Sequence, residues 1–432
     1  MISTRRLRQQ LATVSLSRVQ GRVTQVVGPL LEAELPGARL GALCTVAGDR
    51  PCEVVGFKGG QALLTPLGSV QGISHGERVE VSDEALLTPV GDELLGRVVD
   101  ALGQPMDGRP LVSAHRRPIL GDAAPPLQRD LIGEPLPTGV RIIDGAMPLA
   151  RGQRVMIAAG SGVGKSTLLG MLARFVDCDV VVACLVGERG REVREFVEHN
   201  LGPEVMKRAV VVVATSDQSP AVQVKAPLTA TAIAEAFRDQ GKSVLLLVDS
   251  LTRLALAQRQ IGLAAGEPPT TRGYTPSVFA NLAPLLERAG PGVGGGSISA
   301  VYTVLVEGDD HNDPVADAVR GIVDGHVVLS RKLASMGHFP AIDLMHSLSR
   351  VASAVATEEH LELARRLRRL LAVWLDNEEL VRLGAYRPGA SAEVDDAMAR
   401  YPLVSAWAQQ RSDERVGTDE SLAALAQVVG AA

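Results

Sequence analysis

Aromatic residues are scarce: two Trp, four Tyr and six Phe make up 3% of the 432 residues. A chain so poor in rings, with a formal net charge of -5, offers neither a stacking platform for bases nor a basic field for a phosphate backbone. Both absences argue against a nucleic-acid-directed motor. Cysteine is equally sparse. Cys44, Cys52, Cys178 and Cys184 form no C-x-x-C pair and share no His/Cys ligand spacing, so buried, reduced thiols are expected rather than a metal site. Long apolar runs are missing too: Ala209 to Thr215 and Val244 to Val248 fall far short of the ~18 residues that a membrane span requires. No acidic residue precedes Glu32, yet the leading Arg5, Arg6, Arg8 and Arg18 flank no apolar stretch of the kind a secretory signal carries. Residues 1–18 are therefore expected to serve ring assembly or contact with a membrane surface.

What the chain does have is length for two or three cores, with 46% hydrophobic residues to fill them. From Val19 to about residue 90 short β-branched segments alternate with Gly and Pro, which predicts a small β-barrel. Ala101 to Pro137 carries seven prolines and reads as an extended connector. Beyond it, continuous apolar strands alternate with helical patterns, the pattern of an α/β core with a parallel sheet covered on both faces, placed within 91–355. Residues 356–432 read as a helical domain, with Leu361, Ala364, Leu367, Leu371 and Trp374 on one face and Arg365, Arg366, Arg368 and Arg369 on a solvated one.

The chemistry is carried by a strand, a glycine-rich loop and a helix in that order. After Val155 to Ala158 come Ala159, Gly160, Ser161, Gly162, Val163, Gly164, Lys165, Ser166 and Thr167, a P-loop whose N–H groups can cradle phosphates. Lys165 adds charge on the β and γ phosphates of ATP, and the Ser166 hydroxyl can ligate Mg²⁺. Ala159 stands where the first Gly of that motif is expected, a change that costs little at negative φ. Val244 to Asp249 is an apolar strand ending in a carboxylate, which in a P-loop core holds the metal partly through water. Glu188, directly after the strand Val180 to Val186, is the expected general base, with Glu192 as its rival.

The run Leu185 to Glu195, together with Asp249 to Arg253, Gly266 to Tyr274, Val306 to Asp310, Leu136 to Gly145 and Gly384 to Tyr386, resembles the type III secretion ATPases and flagellar export ATPases. Both are similar to the catalytic subunit of rotary ATP synthases, and the likeness runs from about residue 20 to the C-terminus. It implies a small β-barrel, a RecA-like P-loop core and a helical end. It also implies a homohexamer with Mg-ATP at each interface and Arg350 as an arginine finger supplied in trans. By the same resemblance Phe339 stacks on adenine, Tyr386 closes that pocket, Arg189 and Arg191 contact phosphate or the neighbouring chain, and Gly290 to Gly296 lies near a central pore. Read without it, Phe339 is core packing. The implied partners are stator and central-stalk proteins, chaperone–substrate complexes received by the C-terminal helices, and an export gate at the cytoplasmic face of the inner membrane. The expected function is ATP-driven release of chaperones and unfolding of exported proteins. A flagellar export ATPase and a subunit of a rotary proton-translocating complex are the alternatives. Gln61 to Gly68 and Gly72 to Ser74 resemble the injectisome branch, whereas the P-loop and Gly294 to Ser297 resemble the flagellar one.

Overall fold

The computed structural model describes residues 20–82, 85–306 and 313–430, so the N-terminal segment 1–18 and the stretch Glu307 to Asp310 lie outside the described residues. Six strands close into a barrel in the order β1-β2-β5-β4-β3-β6: β1 (Gln20–Val27), β2 (Leu30–Glu34), β3 (Leu43–Val46), β4 (Arg50–Lys58), β5 (Gln61–Pro66) and β6 (Arg78–Ser82). Alternation fills its interior with Val23, Leu31, Ala33, Val46, Val54, Leu64 and Val79. Cys44 and Cys52 face each other across β3 and β4, and burial pushes both thiols up to about 12.

The chain then enters the large sheet earlier than its prolines suggest. β7 (Leu87–Val90) pairs with β9 (His115–Pro118), while β8 (Arg97–Asp100) joins the main sheet beside β12 (Ala209–Thr215). The expected extended connector thus carries a strand of its own, β9. Arg97 anchors it, donating to both oxygens of Asp107 at 2.6 and 2.9 Å, which holds that carboxyl well below the usual carboxylate range.

The main sheet continues with β10 (Arg154–Ala159), β11 (Val180–Glu188), β13 (Ser243–Asp249), β14 (Gly290–Pro291), β15 (Ser297–Leu305), β16 (Gly325–Leu329) and β17 (Ile342–Ser349). Its order is β17-β16-β10-β15-β13-β11-β12-β8, parallel except at β17 and the short β14. Strand alternation explains why these segments are apolar throughout. In β11, Val181, Ala183 and Leu185 face a core formed with the helix Lys165–Phe175 and the C-terminal helices. Val182, Cys184 and Val186 face another, formed with Pro220–Arg238, Leu251–Ala264 and Pro276–Leu286.

On the second face the ion pair of Arg288 and Glu235 is almost wholly buried, with side chains 2% and 3% exposed and two bonds of 2.8 Å. Arg288→Met strips Glu235 of its bidentate partner, leaving it Arg117 at 3.3 Å, and is expected to cost up to ~3 kcal/mol, seen as a lowered thermal midpoint. Replacing both residues by apolar ones is expected to cost less than the single change.

Three helices, Glu358–Arg382, Ala392–Ala408 and Thr418–Val429, end the fold. The buried stripe of the first is His360, Leu363, Ala364, Leu367 and Leu370, rotated from the expected one because Leu361 is only half-buried. Arg368 leaves the expected solvated face as well: its guanidinium donates to the Leu344 and Ser347 carbonyls at 2.5 and 3.0 Å. Among the described residues no helix is long and apolar enough to cross a membrane.

Candidate active site

Parallel strands point their carboxyl ends at one edge, and three of these ends build the site. β10 runs into the P-loop, β11 ends on Glu188, and β13 ends on Asp249. Ala159 is the last residue of β10, paired with Leu305 and buried, so the strand conformation there has no use for the flexibility of glycine. Gly160 is buried and Val163 packs into the core, whereas Ser161, Gly162, Ser166 and Thr167 are exposed at the mouth of the loop. Gly164 adopts φ 94°, the left-handed turn from which the helix Lys165–Phe175 springs with its N–H groups free.

Lys165 Nζ is bonded to Asp249 and lies 3.8 Å from Glu188, and all three side chains are at most 14% exposed. Thr303 donates to Asp249 at 2.7 Å from β15. The sequence reading missed Thr303, a polar side chain set in a buried strand and aimed at a carboxylate. Burial raises the Glu188 carboxyl to about 7, helped by its hydrogen bond with Glu192 and by the charge of Asp249, and opposed by Lys165. Glu192 moves the other way, lowered by the same hydrogen bond. Of the two rivals, Glu188 is the more enclosed and lies 3.8 Å from Lys165, while Glu192 is 36% exposed. The exposed hydroxyl of Ser166 and the carboxylate of Asp249 are hard oxygen donors suited to Mg²⁺ shared with phosphates.

Phe339 is not core: its ring lies over the P-loop, 3.5 Å from where a Cβ on Gly164 would stand, and it is 43% exposed. Its second neighbour is the loop after the helix Ala392–Ala408, because Gln410 N–H donates to the Phe339 carbonyl at 2.9 Å. Tyr386 has a different setting. Its hydroxyl bonds the Ser391 carbonyl and Asp395, each at 3.0 Å, so it serves the turn between two C-terminal helices. No local pattern around Gln410 signals its contact with Phe339.

Arg189 and Arg191 are both 77% exposed and pair along their own helix with Glu192 and Glu195, so neither reaches the P-loop in this chain. Arg350 stands at the wrong edge of the sheet for a contact within the chain. Ser349 pairs with Gly325, and Gly325 pairs with Val155, one residue from the end of β10 that lies away from the P-loop. That is roughly 16 Å along the strand. Its guanidinium donates to the Arg320 carbonyl at 3.1 Å. The hairpin of Gly290 to Gly296 lies at that same far edge, where Pro291 pairs with Ser297.

Residues 139–349 match the ATP synthase alpha/beta family, nucleotide-binding domain, and residues 23–82 match the beta-barrel domain of that family. Residues 356–427 match the T3SS EscN ATPase C-terminal domain. The chain is 49% identical over 428 residues to a type 3 secretion system ATPase of Xanthomonas euvesicatoria, covering 98% of this chain and 97% of that protein. It is 48% identical over 418 residues to a flagellum-specific ATP synthase of Bacillus subtilis, covering 95% of each. Its fold superposes on the assembled ATPase EscN of the enteropathogenic E. coli type III secretion system with a TM-score of 0.91 at 43% identity, covering 95% of this chain and 100% of that one. EscN in complex with its central stalk EscO gives 0.86 at 42% identity, again with 95% and 100% covered.

Proposed function

Because this chain belongs to the type III secretion and flagellar export ATPase family, related to the ATP synthase alpha/beta subunits, we propose that it hydrolyses Mg-ATP at sites shared between the subunits of a homohexameric ring. It is an ATPase of a type III protein-export apparatus. The match of residues 356–427 to the EscN C-terminal domain sets it apart from the rotary proton-translocating subunits.

One observation carries the reading of the site. Lys165, Glu188 and Asp249 converge at one edge of the sheet, while Arg350, the cation that would complete the site, stands at the other. A ring resolves this, since the far edge of one subunit can face the P-loop edge of the next in a closed head-to-tail assembly.

In this account the P-loop N–H groups and Lys165 hold the phosphates, and Phe339 takes the adenine with the loop at Gln410 behind it. Ser166 and Asp249 would hold Mg²⁺, which supplies charge neutralisation on the β and γ phosphates. Glu188 orients the attacking water and accepts its proton. Arg350 of the adjacent subunit neutralises the transferred phosphoryl group. Arg189 and Arg191, exposed beside Glu188, contact that subunit. We place the chain on the injectisome branch, on Gln61 to Gly68 and Gly72 to Ser74. Its partners would be a central stalk, a stator, chaperone–substrate complexes at the C-terminal helices and the export gate at the membrane. The solved complex of EscN with its central stalk supports the first of these.

Specific ATPase activity measured against protein concentration, with mass photometry on the same samples, tests the shared site. Activity is expected to rise with the population of rings; equal activity per chain in monomers would overturn the reading.

A further inference from the structure

The helix Gly190–Glu195, which starts two residues after Glu188, does not stop at Glu195. It continues as a π-helical turn over Phe196–Leu201, so a single rod leads from the base to Asn200. Such turns are uncommon and cluster where function constrains a helix. Here the turn delivers one side chain to the P-loop helix: Asn200 Nδ2 donates to the Ser166 carbonyl at 2.5 Å. The carbonyl of Asn200 in turn accepts from the Arg174 guanidinium, whose other nitrogen reaches the Ser412 carbonyl at 2.7 Å.

The P-loop helix is shaped to receive that side chain. Gly170 sits inside the helix, where glycine costs about 1 kcal/mol relative to alanine. A Cβ there would stand 3.0 Å from both Cβ and Nδ2 of Asn200 and 3.1 Å from the Arg174 guanidinium. The glycine is a notch, and Asn200 fills it.

We propose that Asn200 is a positioning residue for ATP hydrolysis. Seated in the Gly170 notch, its amide locks the first turn of the P-loop helix to the rod that begins beside Glu188. The lock sets the distance between Ser166, which faces the metal, and Glu188, which faces the water. The inference rests on the roles assigned to those two residues above. Outer contacts of this kind change metal affinity or activity by about 10- to 100-fold when lost, since a small misplacement of reacting groups is costly.

Asn200→Asp is the discriminating variant. It keeps the shape and the packing on Gly170 but replaces the donor with an acceptor facing the Ser166 carbonyl. It is expected to lower kcat by about 10-fold and to raise the Mg²⁺ concentration for half-maximal activity by a similar factor. The thermal midpoint and nucleotide binding without Mg²⁺ should stay near wild type. Gly170→Ala, which pushes Asn200 off Ser166, should reproduce this and serves if the aspartate variant does not fold. Wild-type kcat and Mg²⁺ dependence in Asn200→Asp or in Gly170→Ala would overturn the proposal and leave Asn200 a packing residue. Glu188→Gln in the same assay separates the two failures. If it turns over normally the assigned site is wrong, and if it is inactive while Asn200→Asp is normal, this inference alone falls.

Discussion

Glu188→Gln is expected to bind Mg-ATP about as tightly as the native chain while steady-state hydrolysis falls by ~10² to 10⁴. The asymmetry follows from where the carboxyl stands. It adjoins Lys165 at 3.8 Å from the buried end of β11, and it contributes where the water attacks, not where the phosphates are held in the ground state. The same burial predicts a pH signature. With the carboxyl raised to about 7 in the free enzyme, kcat/KM should fall as pH drops through that value, because a protonated base can neither orient nor deprotonate water. Glu192→Gln removes one of the influences that raise it, so the acid limb should move to lower pH. Isothermal titration with a non-hydrolysable ATP analogue and a phosphate-release assay separate binding from turnover. Native turnover in Glu188→Gln would hand the role to Glu192.

Arg350→Ala should lose ~10³-fold or more in turnover, the scale on which arginine fingers act, with the assembly of rings unaffected. Within its own chain the side chain stands at the far edge of the sheet and its guanidinium donates to the Arg320 backbone carbonyl, so a purely structural role predicts a small change. Arg350→Lys should recover little, since a compact ammonium lacks the planar fork that grips a phosphoryl group. Activity within a few-fold of native in Arg350→Ala rings would leave the site without its cation.

The parts of this site that were legible in the sequence are those built by local order. A strand, a glycine loop and a helix are contiguous from Arg154 to Phe175, and an apolar strand that ends on an acid points to Asp249 once that P-loop stands upstream of it. Glu188 follows from the same rule applied to β11. The barrel and the doubly covered sheet were legible for a related reason, since period-two burial and unbroken apolar strands are properties of each segment. Where partners come from far away the sequence was silent. Asn200 meets Ser166 across 34 positions, and Gln410 meets Phe339 from the far C-terminal region; neither is marked by any nearby pattern. The setting of Tyr386 was also not legible: the resemblance placed it at the adenine pocket, and within the chain its hydroxyl closes a local turn on Asp395. The prolines between Ala101 and Pro137 hid β9, an edge strand that tolerates Pro118 at its end. Arg350 is a separate case: the role proposed for it rests on resemblance, because the group it would act on belongs to another copy of the chain.

Mixing tests that shared site most directly. Lys165→Ala lacks the phosphate lysine but keeps the finger, and Arg350→Ala keeps the P-loop but lacks the finger, so each ring alone is inactive. In randomly mixed rings about a quarter of the interfaces would join an intact P-loop to an intact finger in a head-to-tail ring. ATP hydrolysis that reappears when the two inactive proteins are co-assembled, in proportion to mixed rings counted by native mass spectrometry, is the predicted result. Mixed rings that stay as inactive as their parents would contradict a site completed by Arg350 of the neighbouring subunit.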